Sequence, residues 1–231
     1  MTQPREPERA AAHPPQTTAV ALLSGGLDSV VACALWLADG GAIARALTFD
    51  YRQRAVEREC DAAERFCRKR RIAWQRVELP WLAELAQRAG SALVATAREL
   101  PAGTRQTPGD EQSAAAVWVP ARNAVFVASA AAFAETLGAG VVIAGFNREE
   151  AATFPDNSAA FVDCATAMLA LGTRTHVRVA SPTQPLDKPG IVAAARRLLI
   201  RPDDVWSCYR GDPLPCGRCE SCLRSARAWG G

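Results

Sequence analysis

Histidine is almost missing from this chain. Of 231 residues, two are histidine, His13 and His176. A histidine general base has little to draw on, so proton transfers fall to carboxylates or to the substrate itself. No run of 18 uncharged apolar residues occurs, so no membrane span is expected. The first 16 residues, "MTQPREPERAAAHPPQ", lack a continuous hydrophobic run, which argues against a secretory signal. With four prolines and several charges they read as a disordered tail. Charge of one sign is also scarce in excess. A net +3 neither demands nor rules out a nucleic-acid partner. These absences leave a cytosolic, cytoplasmic chain as the expectation. No internal repeat is found.

The rest of the composition is ordinary for a globular enzyme, 49% hydrophobic and 22% charged. Length favours one domain with a small appendage. After the tail, residues 17–200 read as an alternating β and α pattern, and 201–231 as a cysteine-bearing element. Strands are expected at 17–23, 43–49, 72–80, 141–146 and 175–182. Helices are expected at 27–39, 56–71, 122–140, 158–171 and 188–200, the last with Pro189 in its first turn. This order implies an α/β fold with an open, mostly parallel sheet covered by helices on both faces. Residues 90–118 mix Gly, Pro, Thr and charge and read as a long loop, functional or partly disordered.

The stretch "LLSGGLDSV" (22–30) joins the first strand to the first helix. Backbone N–H groups at such a helix start lack intrahelical partners and point at any nearby anion. Gly25 and Gly26 permit close approach, and Ser24 and Ser29 add hydroxyl donors. Asp28 would repel a bare phosphate and is better explained beside Mg²⁺. No Lys-Ser or Lys-Thr follows the glycines, so the loop is not built for γ-phosphoryl transfer in the Walker manner. A plain tight turn is the competing reading of Ser-Gly-Gly alone.

Eight cysteines are present. Four crowd the C-terminus as C-x7-C-x2-C-x2-C: Cys208, Cys216, Cys219 and Cys222. Four thiolates suit a closed, structural tetrahedral zinc site. An iron–sulfur cluster, a redox CxxC pair and four buried free thiols remain open alternatives.

The string S-G-G-L-D-S resembles the signature of the PP-loop ATP pyrophosphatases, adenine nucleotide alpha hydrolase-like enzymes that cut ATP between its α and β phosphates. With the cysteine tail and the segments "TFDYRQRA" (48–55), "VPARNAVFVASAAAFA" (119–134), "GFNREEAATFPDNSAAF" (145–161) and "PLDKPGIV" (185–192), the chain resembles the 7-cyano-7-deazaguanine synthase family of the queuosine pathway. The resemblance runs from about residue 18 to 229.

That resemblance implies a ligase that adenylates 7-carboxy-7-deazaguanine, forms the amide with ammonia, then dehydrates it to the nitrile through a second ATP. AMP and pyrophosphate leave. Ser24, Asp28 and Ser29 would be catalytic. Leu23, Gly25, Gly26, Leu27, Val30, Val31, Asp50 and Tyr51 would join them in binding ATP with Mg²⁺. Gln53, Arg54, Arg122, Asn123, Glu150, Asp156 and Lys188 would meet the substrate, with exposure to solvent as the bland alternative for Lys188. The four tail cysteines would hold Zn²⁺. A homodimer follows from the resemblance alone, and no direct nucleic-acid partner is expected.

Departures gather in the expected substrate pocket. The family's His after QR is Ala55, its Gly in VPGRN is Ala121, its Cys and Arg after YPD are Asn157 and Ser158, and its usual Asp is Glu150. They leave the acid, and the choice between amide and nitrile, open. The rival readings are another PP-loop activity, such as tRNA thiolation or amidation of a related acid, and a zinc-containing binding module with a degenerate nucleotide fold.

Overall fold

A computed structural model describes residues 17–102 and 111–230. The tail at 1–16 lies outside the described residues. Five strands form one sheet: β1 Thr18–Leu22, β2 Ala42–Asp50, β3 Trp74–Glu78, β4 Val141–Ile143 and β5 Arg178–Ala180. Their order is β3-β2-β1-β4-β5, and every neighbouring pair is parallel. The helices are α1 Leu27–Ala38, α2 Val56–Arg70, α3 Pro80–Arg88, α4 Glu111–Val117, α5 Arg122–Thr136, α6 Arg148–Ala151, α7 Ala159–Gly172, α8 Lys188–Arg197 and α9 Glu220–Gly230.

Period-two alternation splits the strand residues between two cores. Ala19 and Ala21 of β1 and Val141 and Ile143 of β4 pack under α1, α2 and α8. Val20, Leu47, Phe49 and Val142 face the other layer, with α3, α5 and α7. Both faces are therefore covered, as the sequence pattern implies.

The chain leaves β1 towards β2 and β3 on one side, and later returns to β4 and β5 on the other. This reversal beside β1 opens a crevice at the carboxyl ends of the strands, where ligands of open α/β sheets bind. α8 is started by Asp187, whose side chain accepts from the Gly190 N–H at 3.0 Å, an N-cap worth about 1 kcal/mol.

Several elements differ from the sequence pattern. The strand expected to reach residue 80 stops at Glu78, and Pro80 instead occupies the first turn of α3. The apolar run at 141–146 pairs only to Ile143. Ala144 still donates its backbone N–H to Ala180 O at 2.9 Å, and Gly145 and Phe146 continue into the wall of the crevice. The irregular 90–118 stretch contains α4. The cysteine tail ends in α9, whose Ala228 and Trp229 pack into the core beside α8.

Candidate active site

The glycine loop sits between β1 and α1, as its sequence implies. Gly25 has φ +75°, and a Cβ there would collide with the Glu59 carbonyl of α2. Gly26 is the N-cap of α1, and no side chain caps that helix start. Ser24 Oγ accepts from the Gly26 N–H at 3.3 Å and lies 3.1 Å from Ser29 Oγ. Ser29 Oγ also reaches the Gly26 carbonyl at 3.1 Å. From the far side, Gly145 presses on the first turn of α1. A Cβ at Gly145 would stand 2.6 Å from Ser29 N and 2.8 Å from Asp28 C.

The crevice has two lobes. One lies over the ends of β1 and β2 and is walled by Leu22, Leu47, Phe49, Phe126 and Phe146, with Phe49 and Phe126 stacked at 4.4 Å. The second is walled by Trp118, Phe154 and Val119, with Tyr209 and Arg224 contributed by the cysteine element. The Trp118 and Phe154 rings are parallel within 4°, centroids 6.3 Å apart. Ser24, Gly26, Asp28, Glu59, Arg122, Glu150 and Asn157 border both lobes.

A buried charge relay crosses this junction. Lys188 Nζ donates to Asp28 Oδ2 at 2.5 Å and to Glu150 Oε1 at 2.8 Å. Arg224 Nη1 approaches Glu150 at 3.4 Å, and its Nη2 donates to Glu220. Burial lowers the Lys188 ammonium, but the two carboxylates outweigh it and hold the group well above its usual pKa. Burial raises Asp28 despite Lys188. Burial also acts upward on Glu150, but Lys188 and Arg224 prevail and leave it lowered. Asp28 Oδ1 is buried with no hydrogen-bond partner among the described residues. The solvent-exposed alternative for Lys188 is thus overturned: its side chain is 12% exposed.

Other expected residues divide into lining and supporting positions. Tyr51 is buried, and its hydroxyl accepts from Arg122 Nη1 at 3.2 Å. Asn123 and Asp156 meet at the cleft wall, Asn123 Nδ2 donating to the Asp156 carbonyl at 3.3 Å. Leu23, Leu27 and Gln53 border the cleft, although Gln53 is fully engaged. Its amide donates to Phe49 O at 3.0 Å and Glu59 Oε2 at 2.8 Å, and accepts from Tyr51 N at 3.0 Å.

Val30 and Val31 are fully buried in the core behind the loop. Asp50 turns towards Arg76 of β3, which binds it through Nε at 2.9 Å and Nη2 at 2.6 Å. Arg54 ties down the following loop by donating to Ala95 O at 2.6 Å and Arg98 O at 2.5 Å. Neither Asp50 nor Arg54 borders the two lobes.

The departures from the family pattern have local explanations. Ala121 takes φ 53° at the N-cap of α5, a left-handed position that favours glycine. Ser158 caps α7, its Oγ accepting from Phe161 N at 3.1 Å. Asn157 Nδ2 donates to Asp156 Oδ1 at 3.3 Å. Ala55 is buried at the start of α2.

The sulfurs of Cys208, Cys216, Cys219 and Cys222 all lie within 4.8 Å of one another. Cys208 Sγ accepts from Arg210 N at 3.3 Å and Cys216 N at 3.4 Å, and Cys216 Sγ accepts from Cys219 N at 3.3 Å. Such backbone donors favour thiolates, so the group can hold a metal ion. The element is also joined to the glycine loop, because Trp206 N donates to Gly25 O at 2.9 Å.

Glu59, Trp118, Phe154, Gly145, Tyr209 and Arg224 border or shape the cleft and were not singled out as site residues from the sequence. They come from four separate chain segments, and only the fold brings them to one place.

A five-stranded parallel sheet with a lysine-free phosphate loop at its reversal point defines an α/β enzyme of the PP-loop, ATP-dependent class. The chain belongs to the family described as queuosine biosynthesis protein QueC, whose model matches residues 18–230. It is 47% identical to a 7-cyano-7-deazaguanine synthase of Pelotomaculum thermopropionicum, over 90% of this chain and 95% of the relative. Identity is 46% to the synthase of Desulforamulus reducens, covering 91% and 92% of the two chains. It is 39% to that of Methanosarcina mazei, covering 91% and 93%. Among solved structures, a U34-tRNA thiolase from Methanococcus maripaludis aligns with a TM-score of 0.49 at 17% identity, over 92% of this chain and 64% of that one. That likeness is too distant to bear on chemistry.

Proposed function

We propose that the protein converts 7-carboxy-7-deazaguanine, ammonia and ATP to 7-cyano-7-deazaguanine through an adenylated acid, an amide and an adenylated amide. The observation that carries this reading is the two-lobed cleft meeting at Ser24, Gly26 and Asp28. One lobe accepts ATP over β1 and β2. The other accepts the flat acid beside Trp118 and Phe154. Their junction then brings the carboxylate against the α-phosphate.

A carboxylate oxygen is a poor leaving group, and AMP is a good one. The protein's task is to align the acid with the α-phosphorus and keep water from the adenylate. The uncapped start of α1 and the two loop serines receive phosphate oxygens. Arg122, half-buried at the junction, suits a developing negative charge. The unpartnered Asp28 Oδ1 suits Mg²⁺, an oxygen-seeking cation. When bound with ATP, Mg²⁺ neutralises phosphate charge. Lys188, one of two lysines in the chain, stands at the loop from α8 and offers a second positive charge.

The cysteine group fits a single zinc ion. Zn–S bonds of about 2.3 Å set tetrahedral S–S edges of about 3.8 Å. The Cys216–Cys222 separation is 3.9 Å. A four-iron cube binds each thiolate at a different iron and spreads the sulfurs further. The family resemblance extends the reading to a cytoplasmic homodimer.

Incubation with the acid, ATP and ammonium, followed by mass spectrometry, tests the substrate. The expected products are the nitrile, AMP and pyrophosphate. A product that stops at the amide would contradict the second adenylation, and no acid-dependent AMP would contradict the substrate.

A further inference from the structure

We propose that Glu59 is the general base of the amidation step, taking a proton from ammonium at the junction of the two lobes. This rests on the functional reading above, which requires an ammonia nucleophile. Near neutral pH ammonia is almost wholly the cation, as simple amines are. A cation has no free lone pair, so the site needs both a place for it and an acceptor for its proton.

Among the described residues, three carboxylates border both lobes: Asp28, Glu59 and Glu150. Asp28 and Glu150 are already bound by Lys188. Asp156 borders only the acid lobe and receives Asn157. Among the described residues, no cationic side chain hydrogen-bonds to Glu59. Its position is fixed from two directions. Its own carbonyl lies against Gly25 of the phosphate loop. Its Oε2 accepts from Gln53, whose amide is oriented by Phe49 and Tyr51. One oxygen is thus anchored, and Oε1 remains for a donor such as ammonium.

Arg122 on α5 and Asp50 on β2 act on the carboxylate through space, while Tyr51 and Cys60 lie within its field. Burial is the largest influence and raises the Glu59 pKa, which brings the group nearer to a base suited to neutral conditions.

The step balances. Ammonium gives one proton to Glu59. The lone pair of the resulting ammonia forms the C–N bond as the acyl carbon–oxygen bond breaks, and AMP leaves with that electron pair. The second proton lost from nitrogen passes to AMP. The products are the neutral amide, protonated Glu59 and singly protonated AMP.

The test compares wild type with Glu59→Gln, which can still accept from Gln53. Three readouts are taken: acid-dependent exchange of pyrophosphate into ATP, amide formation from ammonium, and hydroxamate formation from hydroxylamine. Hydroxylamine is uncharged near neutral pH and needs no prior deprotonation. The expected result is exchange within about threefold of wild type, amide formation down at least about 100-fold, and hydroxamate formation nearly retained. Unchanged amide formation would overturn the role of Glu59. So would a parallel loss of all three activities, which would mark a structural contribution. Wild-type protein without acid-dependent exchange would overturn the functional reading itself, and the base with it.

Discussion

Replacing Lys188, the first residue of α8, with Met removes a buried charge while keeping most of the aliphatic stem. Two carboxylates then lose their common cation. Breaking a buried ion pair by deleting one partner costs about 3–5 kcal/mol. Two features reduce that figure. The Asp28 and Glu150 side chains retain 19% and 25% exposure, and Glu150 keeps Arg224 at 3.4 Å. A loss of about 2–3 kcal/mol follows. For a chain of this size that is a fall in Tm of roughly 5–10 °C.

The pH dependence gives a second check. Glu150 has a lowered folded pKa, so its contribution is present above the ordinary carboxylate range and lost as pH falls through the folded value. In the variant, both carboxylates lose Lys188 and protonate more readily. The stability gap is therefore full where both carboxylates are ionised in wild type and variant alike, and it narrows as pH falls and they protonate first in the variant, Asp28 ahead of Glu150. Urea titrations at about pH 7.5 and about pH 5 measure it. Equal stability at the higher pH, or a gap that widens on acidification, would refute the relay.

Gly145→Ala drives a Cβ into the first turn of α1 and should cost about 1–3 kcal/mol while weakening ATP binding, measured by calorimetry. An unaffected affinity would deny that Gly145 sets the loop. Ala121→Gly relieves a left-handed alanine worth about 1–2 kcal/mol, partly offset by about 0.4–1 kcal/mol of unfolded-chain entropy. A small rise in Tm is expected, and a fall would contradict the strain. Chelation should release one zinc per chain and lower acid binding, because Tyr209 and Arg224 belong to the cysteine element. Unchanged acid affinity in metal-free protein would separate the element from the acid lobe.

The local features were legible in the sequence. The phosphate loop occupies consecutive residues, so its strand, glycines and helix start carry the signal together. The cysteine spacing likewise encodes four neighbouring sulfurs. Alternation and helical spacing implied the layered parallel sheet. What escaped depends on contacts remote in sequence. Glu59 reaches the loop because Gly25 packs on α2. Lys188 was legible as a candidate for the substrate, but its ion pair with Asp28 spans 160 positions. Asp50 seemed placed for ligand by its location at a strand end, yet the neighbouring Arg76 draws it away. Strand ends were overread where Gly145 and Phe146 serve the cleft wall instead of the sheet. α3 was hidden because Pro80 marks a helix start as readily as a strand end.

In the proposed reaction the acid attacks the α-phosphorus of ATP, and isotope transfer follows that bond. The acid is supplied with oxygen-18 in its carboxylate, and the nucleotide products are weighed by mass spectrometry. AMP is expected to acquire one labelled oxygen and pyrophosphate none. Label in inorganic phosphate alongside ADP would contradict it.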